Sequence, residues 1–357
     1  MQHVSILQDL FDHGDWANAK VFQLASDLPD DSLDEPREMG FGSLRNTLFH
    51  IVEAEAIWLE RWQGKPWRPL RVDAAGAGVA EIRALASTTA AERNALLAAE
   101  SADGVARRVT FQDSQQREWA FALGDLMHHV ANHGIHHRAQ ALSYLKSFDR
   151  TVPAGLDYLF WKLARPSCDI PPESLPPLRA FGLEVATEPG LAPAFDKSRV
   201  ERYFAYSDWA MNRVFTAAAD VAPAELDRDF AIGMGTLRRN LQHLVNAERW
   251  WLANWQSDRS DFPRDEEQRS LPAIAEQHAE VARQRSAFVA QLTAADADRV
   301  VCVTAGGPDT KFRVTESLLQ LCCHGTHHRC QCLNMLRQSN VAPPQLDIIF
   351  WLRESPA

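Results

Sequence analysis

Apolar side chains recur at steps of three and four along several long windows of this chain, and each window has a partner about half a chain later. Leu44, Leu48, Ile51, Trp58, Leu59 and Trp62 mark one such stripe; Leu237, Leu241, Leu244, Trp251, Leu252 and Trp255 mark its copy. That spacing aligns them along an α-helix. Ser43 and Thr236, each following a Gly-x-Gly turn, are suited to cap the helix start by accepting a free backbone N–H. A first helix precedes each stripe: Asp15-Trp16-Ala17 with Lys20-Val21-Phe22 recurs as Asp208-Trp209-Ala210 with Arg213-Val214-Phe215, at an offset of 193. Alanine-rich stretches at 79–100 and 271–292 hold good helix formers and predict a third helix in each copy. Short β-branched runs follow, Arg108-Val109-Thr110-Phe111 and Arg299-Val300-Val301-Cys302, with a turn clearest at Gly306-Gly307-Pro308-Asp309. They predict a small hairpin or extended loop within 105–119 and 299–313. A fourth helix is predicted over 123–146 and 314–337. A short segment closes each copy, ending Leu156-Asp157-Tyr158-Leu159-Phe160-Trp161 and Leu346-Asp347-Ile348-Ile349-Phe350-Trp351.

Self-similarity on this scale marks a tandem duplication. The stretch from Pro166 to Pro193 carries seven of the 19 prolines and no helical period, as a linker would. The expected organisation is a bundle at 1–165, a Pro-rich linker at 166–195 and a second bundle at 196–357. With four main helices per copy joined mostly by short connections, the fold class is all-α, two four-helix bundles in tandem. Eight of the 11 tryptophans occupy repeated positions (Trp16/Trp209, Trp58/Trp251, Trp62/Trp255, Trp161/Trp351) and are read as bundle core.

At 357 residues and 46% hydrophobic, the chain can build two cores. A net charge of −10 without a basic block argues against nucleic acid or an anionic membrane surface, leaving a small molecule as the expected partner. Met1-Gln2-His3-Val4-Ser5 lacks a charged start leading into an apolar run, and no window reaches the roughly 18 uncharged apolar residues of a membrane span. Four of the six cysteines, Cys322, Cys323, Cys330 and Cys332, fall on one predicted helix. The expected setting is a reducing cytoplasm.

Candidate chemistry concentrates in the fourth helix of each copy. Ala131-Asn132-His133-Gly134-Ile135-His136-His137-Arg138-Ala139-Gln140 is echoed by Cys322-Cys323-His324-Gly325-Thr326-His327-His328-Arg329-Cys330-Gln331. At 100° per residue, His133 and His137, like His324 and His328, share a face one turn apart, within about 5–6 Å, which suits two imidazoles on one metal ion. His136 and His327 are rotated off that line. A third ligand must come from another helix, and His50 and its copy His243 lie mid-helix in the apolar second helix. Three imidazoles leave a coordination position open, as in catalytic zinc sites, and imidazole also suits Fe, Ni or Cu. His129, one turn before His133, could donate to a ligand or carry a proton. Its counterpart Gln320 could only donate, so the two sites are expected to differ in activity. Arg138 and Arg329 are read as exposed helix arginines or as contacts for an anion. Glu55 and Glu248 are read as partners of an imidazole or of a helix–helix ion pair, and Cys323 and Cys330 as buried packing.

The segment from His129 to Gln140, with the upstream Trp16-Ala17-Asn18 and the helix from Ser43-Leu44 to His50, resembles the DinB/YfiT family of metal-binding four-helix bundles. That family also includes bacillithiol S-transferases and mycothiol-dependent isomerases. The resemblance covers 1–165 and 196–357, and the tandem is similar to a fused form of the family's usual homodimer, implying an internal pseudo-dimer and a monomeric chain. It implies a divalent metal, zinc, nickel or iron, held by His50, His133 and His137 and again by His243, His324 and His328. It also implies that the metal activates a low-molecular-weight thiol or water. Gly134 and Gly325 stand where many members carry an acidic residue. The expected function is therefore a metal-dependent thiol S-transferase or hydrolase acting on a small electrophile. The rival is a non-catalytic metal-binding or stress-response protein.

Overall fold

The turns ahead of the second helices show how local sequence sets this architecture. Gly40 and Gly42 adopt φ of +55° and +82°, and Gly233 and Gly235 adopt +52° and +88°, the left-handed region that glycine enters without a Cβ penalty. The chain then enters the helix through its cap: the Ser43 hydroxyl accepts from Asn46 N–H at 3.2 Å, and the Thr236 hydroxyl from Arg239 N–H at 3.1 Å. The computed structural model describes residues 3–101, 103–151, 156–167, 190–256, 261–263, 269–304 and 309–354. Most of the expected linker, and turn residues 305–308, lie outside the described residues.

Helices dominate: α1 (Ile6–Ala25), α2 (Asp30–Leu33), α3 (Leu44–Trp62), α4 (Val79–Ala99), α5 (Leu123–Ser147) and α6 (Tyr158–Ala164). The second repeat writes α7 (Lys197–Ala219), α8 (Leu237–Trp255), α9 (Leu271–Gln291), α10 (Ala294–Asp298), α11 (Val314–Gln338) and α12 (Ile348–Glu354). Short strands punctuate them. β1 (His3–Val4) runs parallel to β4 (Ala192–Pro193), β2 (Arg108–Gln112) pairs antiparallel with β3 (Glu118–Ala122), and β5 (Val300–Val303) with β6 (Thr310–Arg313). The two expected hairpins are therefore present, the first reaching Ala122 rather than stopping at Trp119.

The chain compacts into two units, Leu7–Thr151 with Asp347–Ala357, and Met1–Ile6 with Val152–Leu346. Each repeat's closing helix thus belongs to the unit built on the other repeat's bundle: α12 packs on α5, and α6 on α11. Within each unit the bundle core is the predicted stripe. Leu44, Leu48 and Trp62 of α3, and Leu237, Leu241 and Trp255 of α8, are almost fully buried, each contributing roughly 1.5–3 kcal/mol relative to exposure. Of the eight repeated tryptophans six are buried, while Trp16 and Trp209 are half-buried, the latter under the Arg213 guanidinium at 4.6 Å. An indole on the first helix thus serves the rim of the core.

Charge is also buried between the helices, twice. Arg93 of α4 is fully buried and reaches Asp15 Oδ2 on α1 and Glu55 Oε1 on α3, each at 2.5 Å. Arg285 of α9 reaches Asp208 of α7 at 2.6 Å and pairs with Glu248 of α8. Glu55 and Glu248 therefore belong to interhelical ion pairs and not to the ligand imidazoles. No described helix is long and apolar enough to cross a membrane.

Candidate metal centre

In the unit built on the first bundle, α3 supplies His50 and α5 supplies His133 and His137. Their Nε2 atoms converge: that of His133 lies 3.2 Å from His50 Nε2 and 3.1 Å from His137 Nε2. Gln140 presents Oε1 to His137 Nδ1 at 2.7 Å, so Nδ1 carries the proton and the Nε2 lone pair faces the group. Phe41, from the glycine turn, stacks on His50 with centroids 3.6 Å apart. His50 and His137 are buried and His133 is half-buried.

The other unit repeats the arrangement with different supports. His243 of α8 meets His324 of α11, Nε2 to Nε2, at 3.0 Å, and the His328 ring lies 4.6 Å from that of His243 and 4.3 Å from that of His324. His328 Nδ1 donates to Asn240 Oδ1 at 3.1 Å. The Asn240 amide nitrogen is engaged by the His328 carbonyl and Cys332 Sγ, which leaves its oxygen to accept. His324 Nδ1 faces Asp157 Oδ2 at 2.9 Å. Burial alone would raise the Asp157 carboxyl, but His324 beside it holds it well below the usual carboxylate range. Phe262 flanks His243 at 5.7 Å. Met234 stands where the first repeat has Phe41, so an aromatic flanks each group from a different loop.

This packing suits a cation. A neutral imidazole has one proton, and where a distal nitrogen holds it, the proximal nitrogen offers only a lone pair. His133 Nε2 can donate to one neighbour or accept from one, so with His137 Nε2 unprotonated one of its two close approaches is left without a hydrogen bond. A cation accepts all three. A tetrahedral ion at the usual Zn–N length of about 2.0–2.1 Å sets its ligand nitrogens about 3.3–3.4 Å apart, close to the 3.0–3.2 Å found here. In both groups all three ligand atoms lie within 4.8 Å of one another. Burial first, and neighbouring histidines second, push His50 and His243 down to about 3 and hold His133, His137 and His328 well below the ordinary histidine value. Neutral imidazoles are the form a metal needs.

The other sequence candidates fall into place around these groups. His129 is buried edge-on to Trp58 at 5.1 Å, and burial, with Arg61 and Arg353 next, pushes it down to about 3. Among the described residues its Nδ1 has no hydrogen-bond partner. Arg138 and Arg329 are not exposed. Arg138 donates to Asn18 at 3.3 Å, and Arg329 to Ser207 at 2.8 Å and Thr326 at 3.1 Å. The glycine one turn back makes the room, since a Cβ on Gly134 would lie 2.7 Å from Arg138 Nη1 and one on Gly325 2.8 Å from Arg329 Nη1. Cys323 and Cys330 are buried. Gln140, Asn240 and Asp157, which orient the imidazoles, were not singled out from the sequence. Gln140 and Gln331 share a repeated position and could have been; Asn240 stands at the repeat position of Thr47, a different residue type, and carried no signal.

The family model described as DinB family matches residues 1–166 and 195–355. Comparisons with curated proteins and with solved structures returned no match.

Proposed function

The chain belongs to the DinB family, and on that footing we propose that each three-histidine group holds one divalent cation. We propose further that the protein is a metal-dependent enzyme, a thiol S-transferase or a hydrolase, acting on a small electrophilic molecule. The observation that supports this most is the convergence of three imidazoles from two helices, with His133, His243 and His324 only half-buried and so open to a small molecule. Zinc, nickel or iron would suit the donors. A bound divalent cation supplies one piece of chemistry, a lowered pKa for a thiol or water that yields a nucleophile at neutral pH.

The chain's own residues do the rest. Gln140 and Asn240 fix the tautomers of His137 and His328. Phe41 and Phe262 give each group an aromatic wall that favours the apolar body of an electrophile and excludes water on that side. The net charge of −10 favours a small molecule over nucleic acid. The thiols of Cys322, Cys323, Cys330 and Cys332 fit a reducing cytoplasm.

Metal analysis of the purified protein tests the reading. Two ions per chain are expected, falling to one in His137→Ala and to one in His328→Ala, together with thiol- or water-dependent turnover of epoxides or alkyl halides. Ions without turnover would leave a non-catalytic metal-binding protein, the reading favoured by Phe41 stacked over one face of His50. Absence of metal would sink both.

A further inference from the structure

In the unit built on the second bundle, the closing segment of the first repeat brings a carboxylate to the histidine group. Asp157 Oδ2 receives His324 Nδ1–H at 2.9 Å. Gln320 holds the same oxygen from its amide nitrogen at 3.4 Å, while its own Oε1 accepts the Leu159 backbone N–H at 2.7 Å, so one side chain secures both the aspartate and the start of α6. With Nδ1–H committed to Asp157, the His324 Nε2 lone pair is aimed at the point where His243 Nε2 also arrives, 3.0 Å away.

The other unit is built otherwise. Asp347 stands at the repeat position of Asp157, and His129 at that of Gln320. Yet the Asp347 carboxylate makes no hydrogen bond among the described residues. His129 does not serve as Gln320 does: among the described residues its buried Nδ1 has no partner, and no carboxylate pairs with His133.

On the reading that these groups hold cations, we propose that the two sites are unequal by construction: Asp157, delivered by the exchanged segment, is a positioning residue that fixes the His324 tautomer and makes the His243/His324/His328 group the tighter site. A carboxylate behind a ligating imidazole fixes the ring and raises its basicity. The first group has an amide, Gln140, in that role, and among the described residues no carboxylate hydrogen-bonds its imidazoles.

The test is Zn²⁺ competition against a chromophoric chelator on the full chain. Two resolved binding steps are expected, the tighter abolished by His328→Ala and the weaker by His137→Ala. In a His137→Ala chain, Asp157→Ala should weaken the remaining site by about 10–100-fold, and Asp157→Asn, which keeps an acceptor without charge, by less. In a His328→Ala chain, Asp347→Ala should leave affinity unchanged. Independently of metal, ¹⁵N spectra should show His324 as the Nδ1–H tautomer in the wild-type chain and as a mixture in Asp157→Ala. Should Asp157→Ala loosen α6, Asp157→Asn and the wild-type spectrum decide. Equal affinities at the two sites, or an unchanged site and tautomer after Asp157 substitution, overturn the proposal while the metal reading stands. A wild-type chain that binds no Zn²⁺ overturns the metal reading, and this proposal with it.

Discussion

Nδ1 of His137 lies 2.7 Å from Oε1 of Gln140, one turn along the same helix. Gly40 closes over that oxygen, since a Cβ there would come within 3.0 Å of it and within 2.7 Å of Thr47 Oγ1. In the other unit the equivalent Gln331 reaches His327, at 2.9 Å, and its buried Oε1 has no hydrogen-bond partner among the described residues. Asn240 orients His328 instead. The duplication kept the task and moved it to another side chain.

Gln140→Leu is therefore expected to weaken cation binding at the His50/His133/His137 group by about tenfold or more, whereas Gln331→Leu leaves the other group unchanged and Asn240→Leu weakens it comparably. Gly40→Ala should act in the same direction as Gln140→Leu, because it displaces the amide and strains a left-handed turn. Chelator competition in chains with only one intact group reads each effect.

Removing the guanidinium from either buried ion cluster strands two carboxylates. Arg93→Ala leaves Asp15 and Glu55 facing each other, and Arg285→Ala leaves Asp208 and Glu248. Each substitution should destabilise its own unit by about 3 kcal/mol or more, with Asp15 softening the first because a third of its side chain is exposed. Urea unfolding, followed through the tryptophans, measures it.

A cation gripping α3 and α5, or α8 and α11, stabilises the folded chain because the unfolded chain cannot assemble the three imidazoles. At free metal about 100 times Kd, each site should add about 2.7 kcal/mol to unfolding. A chelator should lower the melting temperature of the wild-type protein and have no effect on the His50→Ala/His243→Ala double variant.

His278 of α9 supplies a pH dependence separate from the metal groups. Its Nε2 sits 3.8 Å from Asp208 and 3.9 Å from Glu248, with Arg285 beside them. Burial is the largest influence and outweighs the pull of Asp208, lowering His278 from 6.5 to about 4. The folded value lies below the unfolded one, so its stabilising contribution is complete above pH 6.5 and is lost as the pH falls from 6.5 toward about 4. Over that window the unfolded chain takes up one proton more, a slope of about 1.4 kcal/mol per pH unit. His278→Leu should flatten the acid limb of the stability profile by that amount and leave the profile above pH 7 unchanged, as urea midpoints of metal-free protein across a pH series will show.

Much of this was legible from residue order. The fourth helices were expected over 123–146 and 314–337 and run Leu123–Ser147 and Val314–Gln338. The pairing of His133 with His137 followed from i, i+4 geometry, and His50 stood out because His243 repeated it. Other assignments failed for want of a partner in view. Arg138 and Arg329 read as exposed, because nothing in a helical period shows that Gly134 and Gly325 open a pocket for a guanidinium one turn ahead. Trp16 and Trp209 read as core, because an indole at a repeated position does not reveal which edge of the bundle it covers.

By itself, the order of residues determined what backbone geometry makes periodic: four main helices in each copy, their caps, the two histidine pairs and the duplication. The tertiary structure alone decided which bundle each closing helix completes, and hence that Asp157 meets His324 while the Asp347 carboxylate makes no hydrogen bond among the described residues. Two copies of one pattern present nearly equal surfaces, so periodicity cannot choose between them. That choice rests on hydrogen bonds and packing between groups more than 150 residues apart, such as Asp157 and His324 at a separation of 167, and these exist only once the chain has folded.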